Sequence, residues 1–134
     1  MKRGEFALCA LVLACSGCGA ASGPKFRAEP VPVAGAVVYV YRPYHFFSPA
    51  TDPAVTCANE TIEIQPGGYH AFQAKPGPVT CSANSGASVQ FEARAREEYY
   101  VREEVHSGLL VNVDLQLASR EDGLDEIKSC CEKQ

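Results

Sequence analysis

Apolar and polar residues alternate along most of the chain beyond residue 35, a pattern typical of strands with one buried and one solvated face. In the clearest stretch, Val89, Phe91 and Ala93 alternate with polar or charged neighbours. Proline, glycine and asparagine separate the alternating stretches, as they do at turns between strands. The pattern predicts eight strands, at residues 36–42, 55–57, 61–65, 69–75, 78–84, 88–96, 98–102 and 109–117. Strands this short and closely spaced favour an all-β fold, a two-sheet antiparallel β-sandwich.

For the first and last of these strands, the sequence predicts which side chains are buried. Residues 36–42, with the sequence AVVYVYR, are apolar on both faces, which predicts a central strand. In the last strand the alternating apolar residues are expected to face the core, and these are Leu109, Val111, Val113, Leu115 and Leu117.

A change of period after residue 118 predicts a short C-terminal helix. Ser119 suits the N-cap, and acidic residues follow it in the first turn, where the helix dipole favours negative charge. Leu124, Ile127 and Cys131 fall on one side of this helix and are expected to face the domain. Gly123 is expected to weaken the helix by up to about 1 kcal/mol.

The N-terminal residues have the layout of a bacterial export signal. Two basic residues precede a nine-residue apolar run at 6–14, which is too short to cross a bilayer, because a crossing takes about 20 helical residues. The run ends in VLAC at 12–15, which resembles the lipobox of bacterial lipoproteins, where the cysteine is acylated and becomes the first residue. We therefore predict a lipoprotein signal peptide at 1–14 and lipidation of Cys15. Cys18 is the alternative acylation site, and a plain cleaved signal without lipid is a further alternative.

The residues that follow the cleavage site define the expected location and domain boundaries. More than one acyl chain makes membrane attachment stable, and Ser16 after the cysteine, rather than aspartate, favours the outer membrane, with the protein facing the periplasm. Residues 15–35 are small, contain proline and lack periodicity, which predicts a lipidated tether. The folded domain is expected at 36–131.

Charge and length restrict the partners of the exported chain. Removal of the signal leaves ten basic and fifteen acidic residues, a balance that argues against nucleic acid and against electrostatic binding to anionic lipid. The remaining 120 residues are enough for one hydrophobic core. Contact with the membrane is therefore expected through the N-terminal lipid.

Two cysteines in similar local sequences are candidates for a disulfide. Cys57 and Cys81 each follow the dipeptide VT and occupy the inward phase of a predicted strand. In an oxidising compartment we expect them to bond, which would stabilise the fold by about 3 kcal/mol. The alternative is a pair of small buried thiols.

The remaining candidates for thiol or metal chemistry are weaker. Cys130 and Cys131 are adjacent, and neighbouring cysteines rarely bond to each other, so we expect one to pair with Cys18 or both to bond a partner. A thiol enzyme that uses Cys81 with His70, or Cys130, is a distant alternative without a nucleophile motif. No cofactor and no metal site are expected, because the histidines fall in separate segments.

An aromatic loop and two arginines form a possible ligand surface. Arg42 and Arg102 each end a strand beside tyrosines, and Tyr44, Phe46 and Phe47 follow the first of them. Such arginines could bind a carboxylate or a sugar, with the loop as a stacking surface. The alternative is a structural role in carboxylate pairs, for which Glu104 and Glu63 are the candidate partners.

Three motifs in order resemble a known family. YVYRP at 39–43, PG at 76–77 and EYYVR at 98–102 look like the bacterial family Domain of Unknown Function 2846 (DUF2846), whose members are short lipoproteins with similar strands and turns. The resemblance covers about residues 37–128. It implies a sandwich related to PEGA or transthyretin-like domains and supplies no activity.

The expected function follows from the predicted location rather than from a catalytic motif. We expect a lipid-anchored, non-enzymatic envelope lipoprotein that serves as an interaction or structural module, with an envelope protein or a glycan as its partner. The alternative is a periplasmic small-ligand or glycan-binding module that uses Arg42 and the aromatic loop.

Overall fold

The computed structural model describes residues 20–45 and 51–134. Its strands and its helix α1 are, in chain order, β1 Ala36–Arg42, β2 Ala54–Cys57, β3 Glu60–Glu63, β4 Gly68–Ala74, β5 Gly77–Ala83, β6 Ser88–Ala93, β7 Glu98–His106, β8 Asn112–Ala118, α1 Arg120–Cys130 and β9 Glu132–Lys133. The predictions for Cys15, Cys18, Phe46 and Phe47 concern residues outside the described ranges.

The strands form a five-stranded sheet, ordered β8-β7-β1-β4-β9, and a four-stranded sheet, ordered β3-β2-β5-β6. Apolar residues of both sheets meet between them, and α1 packs on the outer face of the five-stranded sheet. The predicted all-β sandwich with a C-terminal helix is therefore confirmed. The expected antiparallel pairing has two exceptions, because β1 pairs with β7, and β4 with β9, in parallel. Between β1 and β7 the chain passes through the whole second sheet, which lets β7 return in the direction of β1.

Strand β1 lies at the centre of the five-stranded sheet and is buried on both faces, as its sequence predicted. Val38 and Val40 contribute to the core between the sheets. Val37, Tyr39 and Tyr41 contribute to a second core on the opposite face. The alternation of side chains along a strand thus supplies β1 residues to two separate hydrophobic layers.

Residues 20–35, which we expected to extend as a tether, instead lie along the domain. Phe26 is buried, and its ring contacts those of Tyr39 and Tyr69 at centroid distances of 5.1 Å each. The backbone N–H of Phe26 also donates to Cys131 O at 3.2 Å. The expectation of a free tether fails here because burial of an aromatic ring outweighs the tendency of small and proline-rich segments to stay extended. The lipid modification remains a prediction.

Helix α1 begins as the sequence predicted. Ser119 is the N-cap, and its side-chain oxygen accepts a hydrogen bond from the backbone N–H of Asp122 at 3.1 Å. Gly123 has a role that its helix propensity does not reveal, because a Cβ atom there would lie 2.3 Å from Tyr100 Cβ. The glycine therefore allows α1 to pack directly on β7.

Strand β8 differs from its prediction at both ends. It begins at Asn112, and Val113 and Leu115 are buried as expected, whereas Leu109, Val111 and Leu117 are exposed. Residues 107–111 form the loop that joins β7 to β8, so their side chains project into solvent. The alternation of apolar residues therefore starts at Leu109 in the sequence, before the strand itself begins at Asn112.

Candidate functional site

Two buried charged residues, Arg42 and Glu103, and the partly exposed Asp52 lie at one end of the sandwich, and we call these three residues the charge cluster. On β1, Arg42 continues the inward phase of Val38 and Val40. On β7, Glu103 continues the inward phase of Val101. The parallel register pairs Tyr41 with Arg102, so Arg42 and Glu103 are the next residues along two neighbouring strands and share the inner face.

Arg42 makes several hydrogen bonds although its side chain is only 1% exposed. Its Nη1 donates to Thr51 O at 2.9 Å and to Ile64 O at 3.2 Å. The same atom lies 3.2 Å from Asp52 Oδ1 and forms an ion pair with it. Burial lowers the pKa of Arg42, and the carboxylates of Glu103 and Asp52 oppose this shift. Arg42 thus connects the end of β1 to the segments that precede β2 and follow β3.

Glu103 is 0% exposed, and neither of its carboxyl oxygens has a hydrogen-bond partner within the described residues. Burial raises the pKa of Glu103 from 4.5 to about 8, although the attraction of Arg42 opposes the rise. Burial therefore favours the protonated form of Glu103 at pH values well above those at which an exposed glutamate ionises. Perturbed carboxyl groups are common at active sites, but this one is enclosed and has no surface from which a substrate could reach it.

Arg42 is therefore not part of an exposed ligand surface, because its side chain is buried in the sandwich. The structural alternative holds for Arg42, with Asp52 as its carboxylate partner in place of Glu104 or Glu63. Asp52 and Glu103 were not singled out from the sequence. The sequence feature that could have identified Glu103 is an acidic residue at a position where the alternation along β7 otherwise places apolar side chains.

Arg102 lies on the opposite face of the five-stranded sheet from Arg42. Its Nη2 lies 2.6 Å from Glu104 Oε1, and its Nε lies 3.0 Å from Glu126 Oε1 on α1. Here the predicted partner Glu104 is present, and Arg102 braces the helix against the sheet. Tyr44, another member of the predicted surface, is 57% exposed. The two arginines are thus not brought together into one site.

Cys57 and Cys81 form a disulfide, which confirms the prediction. They face each other across β2 and β5, with an S–S distance of 2.02 Å. Both are fully buried in the core between the sheets. The bond therefore links two neighbouring strands inside the domain and leaves no thiol at Cys81 for the alternative of a nucleophile with His70. His70 Nε2 instead lies 2.9 Å from Glu60 Oε1.

Cys130 and Cys131 are bonded to each other, with an S–S distance of 1.95 Å. The prediction that one of them pairs with Cys18, or that both bond a partner, is therefore wrong. Cys130 is the last residue of α1, and Cys131 adopts an extended backbone at the C-cap. This change of backbone direction brings the two sulfur atoms together and removes Cys130 as a candidate nucleophile in the oxidised protein.

An open groove of about 620 Å³ lies at the other end of the five-stranded sheet, where β7 begins. Its lining mixes apolar, aromatic and charged side chains, including Val31, Tyr99, Leu117, Arg96 and Arg120. Arg120 Nη2 lies 3.5 Å from Glu98 Oε2.

Two further features concern residues 20–45 and 51–134. These residues contain no cluster of three or more histidine, cysteine or acidic side chains arranged to hold a metal ion. None of their helices has the length and apolar character needed to span a membrane. Comparisons with protein-family models, curated proteins and solved structures find no match to this chain.

Proposed function

We propose that this protein is a lipid-anchored bacterial envelope lipoprotein whose β-sandwich serves as a non-enzymatic interaction or structural module. Its sequence supplies a basic start, a short apolar run and the lipobox-like VLAC at 12–15. The observation that carries the proposal is the oxidised state of all four cysteines in the described ranges. Disulfides persist in exported proteins and are rare in the cytosol. The proposed location is the outer membrane, with the domain facing the periplasm.

We also propose membership of the DUF2846 family. The motif strands YVYRP and EYYVR correspond to β1 and the beginning of β7, which pair directly at the centre of the five-stranded sheet. Tyr39 and Tyr100 are register partners, and their rings stack at a centroid distance of 5.3 Å. These contacts favour a structural role for the motif residues. They agree with a family resemblance that implies a fold and no activity.

A non-enzymatic role is supported by the way in which the charged side chains are used. Arg42 is enclosed and hydrogen-bonded, and Arg102 forms two ion pairs. The perturbed acid Glu103 has no access to solvent. These groups stabilise the ends and layers of the sandwich, so the proposed contacts with an envelope partner lie on its outer surface.

Metabolic labelling in the native host tests the proposed anchor. Cells grown with an alkyne-bearing palmitate should yield a labelled protein that fractionates with the outer membrane. Cys15→Ser should remove the label and retain the uncleaved signal, because the acylated residue is lost. Cys18→Ser is the matched control and should leave both label and location unchanged. An exported protein without label, with Cys15→Ser located as the unsubstituted chain is, would contradict the proposal.

A second candidate function, binding of a small ligand or glycan, is favoured by the groove at the start of β7. Tyr99, whose ring stacks on Phe91 at a centroid distance of 4.8 Å, lines the groove, and Arg96 and Arg120 offer cationic donors. Calorimetric titration of the protein with soluble peptidoglycan fragments tests this function. Saturable binding that is lost in Arg120→Ala and kept in Arg94→Ala, an exposed control position, supports it. Absence of heat with every fragment contradicts it.

A further inference from the structure

The loop that joins β7 to β8 presents three consecutive apolar side chains to solvent. Leu109, Leu110 and Val111 are 106%, 83% and 47% exposed, respectively. No charged residue occurs within 107–111. Single exposed leucines are common on proteins, whereas a continuous apolar tip generally marks a contact surface.

The loop projects from the end of the sandwich that holds the charge cluster. β7 runs parallel to β1, and the register pairs Arg102 with Tyr41, one residue before β1 ends. β7 continues four residues beyond Arg102, to His106. At about 3.3 Å per residue, the loop therefore begins about 13 Å beyond the level of Arg102 along the strand direction. At this end of the five-stranded sheet, the loop therefore projects beyond the end of β1.

The N-terminal segment enters the domain at the same end. Ala21 N donates to Pro66 O at 3.1 Å, and Pro66 immediately precedes the turn into β4. β4 begins at Gly68, which is the register partner of Arg42. Two strand spacings, about 10 Å in total, separate β4 from β7. Cys15 lies six residues before Ala21, a reach of about 20 Å when extended. An acylated Cys15 can therefore reach the same plane as the loop tip.

We propose that residues 107–111 insert their apolar side chains into the surface of the bilayer that holds the lipid on Cys15. This inference rests on the proposed lipid anchor. Beside the loop, His106 Nε2 lies 3.6 Å from Glu104 Oε2 and 3.5 Å from Asp114 Oδ2. Because two carboxylates surround this one imidazole, these groups form no cationic patch for lipid headgroups, which favours apolar insertion over electrostatic binding. The anchor keeps the loop near the bilayer at high effective concentration, so even weak insertion is sufficient.

The contact fixes the orientation of the domain. The end that carries the loop faces the bilayer, and the groove at the start of β7 faces away from it into the periplasm. A protein held only by its lipid would instead rotate freely about the N-terminal segment. Orientation is therefore the property that an experiment has to measure.

The absence of tryptophan from the chain allows a single fluorescent reporter to be placed at either end. Leu110→Trp reports on the loop, and Val33→Trp is the matched control, since Val33 is 70% exposed and lies shortly before β1 at the opposite end. Each full-length lipidated protein is purified from membranes and reconstituted into phosphatidylcholine vesicles, with or without bromine on the acyl chains. A side chain inserted about 5–10 Å into the bilayer should lose on the order of half its emission to the bromine atoms.

Quenching of the Leu110→Trp reporter with little quenching of Val33→Trp supports the inference. Labelled, vesicle-bound protein in which both reporters are equally unquenched overturns the inference and leaves the lipid anchor intact. Protein that carries no acyl label and does not float with vesicles overturns the proposed anchor and the insertion together. Equal quenching at both positions overturns the fixed orientation, because both ends then reach the bilayer.

Discussion

Replacing Glu103 with glutamine tests whether this buried carboxyl group is protonated in the folded protein. Folding raises its pKa from 4.5 to about 8, so the folded state holds the proton more tightly than the unfolded state does. The stabilisation is complete below the unfolded pKa and is lost as the pH rises through the folded value. The domain should therefore become less stable as the pH rises from about 4.5 to about 8. Glu103→Gln supplies a neutral side chain of similar shape and should remove most of this dependence.

The size of the effect follows from the pKa shift. One pKa unit corresponds to about 1.4 kcal/mol, so the rise from 4.5 to about 8 sets an upper limit on the order of 5 kcal/mol. A domain of this size has a total stability of about 5–15 kcal/mol. Ionisation of one buried carboxyl group would therefore remove a large share of it. At pH 5 we expect Glu103→Gln to change the stability by less than about 1 kcal/mol.

Urea unfolding followed by circular dichroism, at several pH values under oxidising conditions, measures this dependence. Glu92→Gln is the matched control, because it removes a carboxylate from an exposed strand position. The control should retain the pH dependence of the unsubstituted chain. A second check is Arg42→Gln, which removes the charge that holds the pKa of Glu103 down and should shift the loss of stability to higher pH. Parallel curves for Glu103→Gln and the unsubstituted chain would refute the reasoning.

Three further variants test the packing of the layers, each by urea unfolding. Gly123→Ala should destabilise by about 1–3 kcal/mol despite the better helix propensity of alanine, because the new methyl group meets Tyr100. Replacing both Cys57 and Cys81 with alanine should cost about 3 kcal/mol, the chain-entropy value for a cross-link over 24 residues. Phe26→Ala should cost about 3 kcal/mol, because the ring contacts two buried tyrosines. It should also expose the N-terminal segment to proteases.

Neighbouring exposed positions provide the controls for these substitutions. Asp125→Ala on the exposed side of α1 and Arg27→Ala beside the buried ring should each change stability by less than about 0.5 kcal/mol. A Gly123→Ala protein as stable as the Asp125→Ala protein would contradict the close approach of α1 to β7. Protease resistance of residues 20–35 that survives Phe26→Ala would contradict the role of that ring.

The fold was largely predictable because local patterns and tertiary burial agree in most strands. The inward phase of β5 and β6, the central position of β1 and the cap at Ser119 all follow from periodicity and side-chain chemistry. The parallel pairing of β1 with β7 was not predictable in this way. Alternation specifies which face of a strand is buried, but it carries no information about which strand lies beside it.

The candidate site was less predictable, because burial of a charged residue depends on its partners. Arg42 is the last residue of an apolar strand, and this position in the sequence suggests an exposed side chain. In the structure, three acceptors from distant segments enclose the side chain. Cys130 and Cys131 bond because the chain leaves the helix between them. Leu109 continued an alternating pattern although the strand had not begun. In each case the deciding contact comes from a distant segment or from local backbone geometry that periodicity does not encode.

The two arginines of the motif strands have complementary structural roles. Arg102 is in register with Tyr41, immediately before Arg42, and successive residues of a strand point to opposite faces. Arg42 therefore closes the inner layer through Asp52, while Arg102 joins the outer layer to α1 through Glu126. Substitution of either should weaken the fold before it affects any partner. The proposed contacts with the envelope then lie on surfaces outside these motifs, and loop 107–111 carries three of the six exposed large hydrophobic side chains in the described ranges.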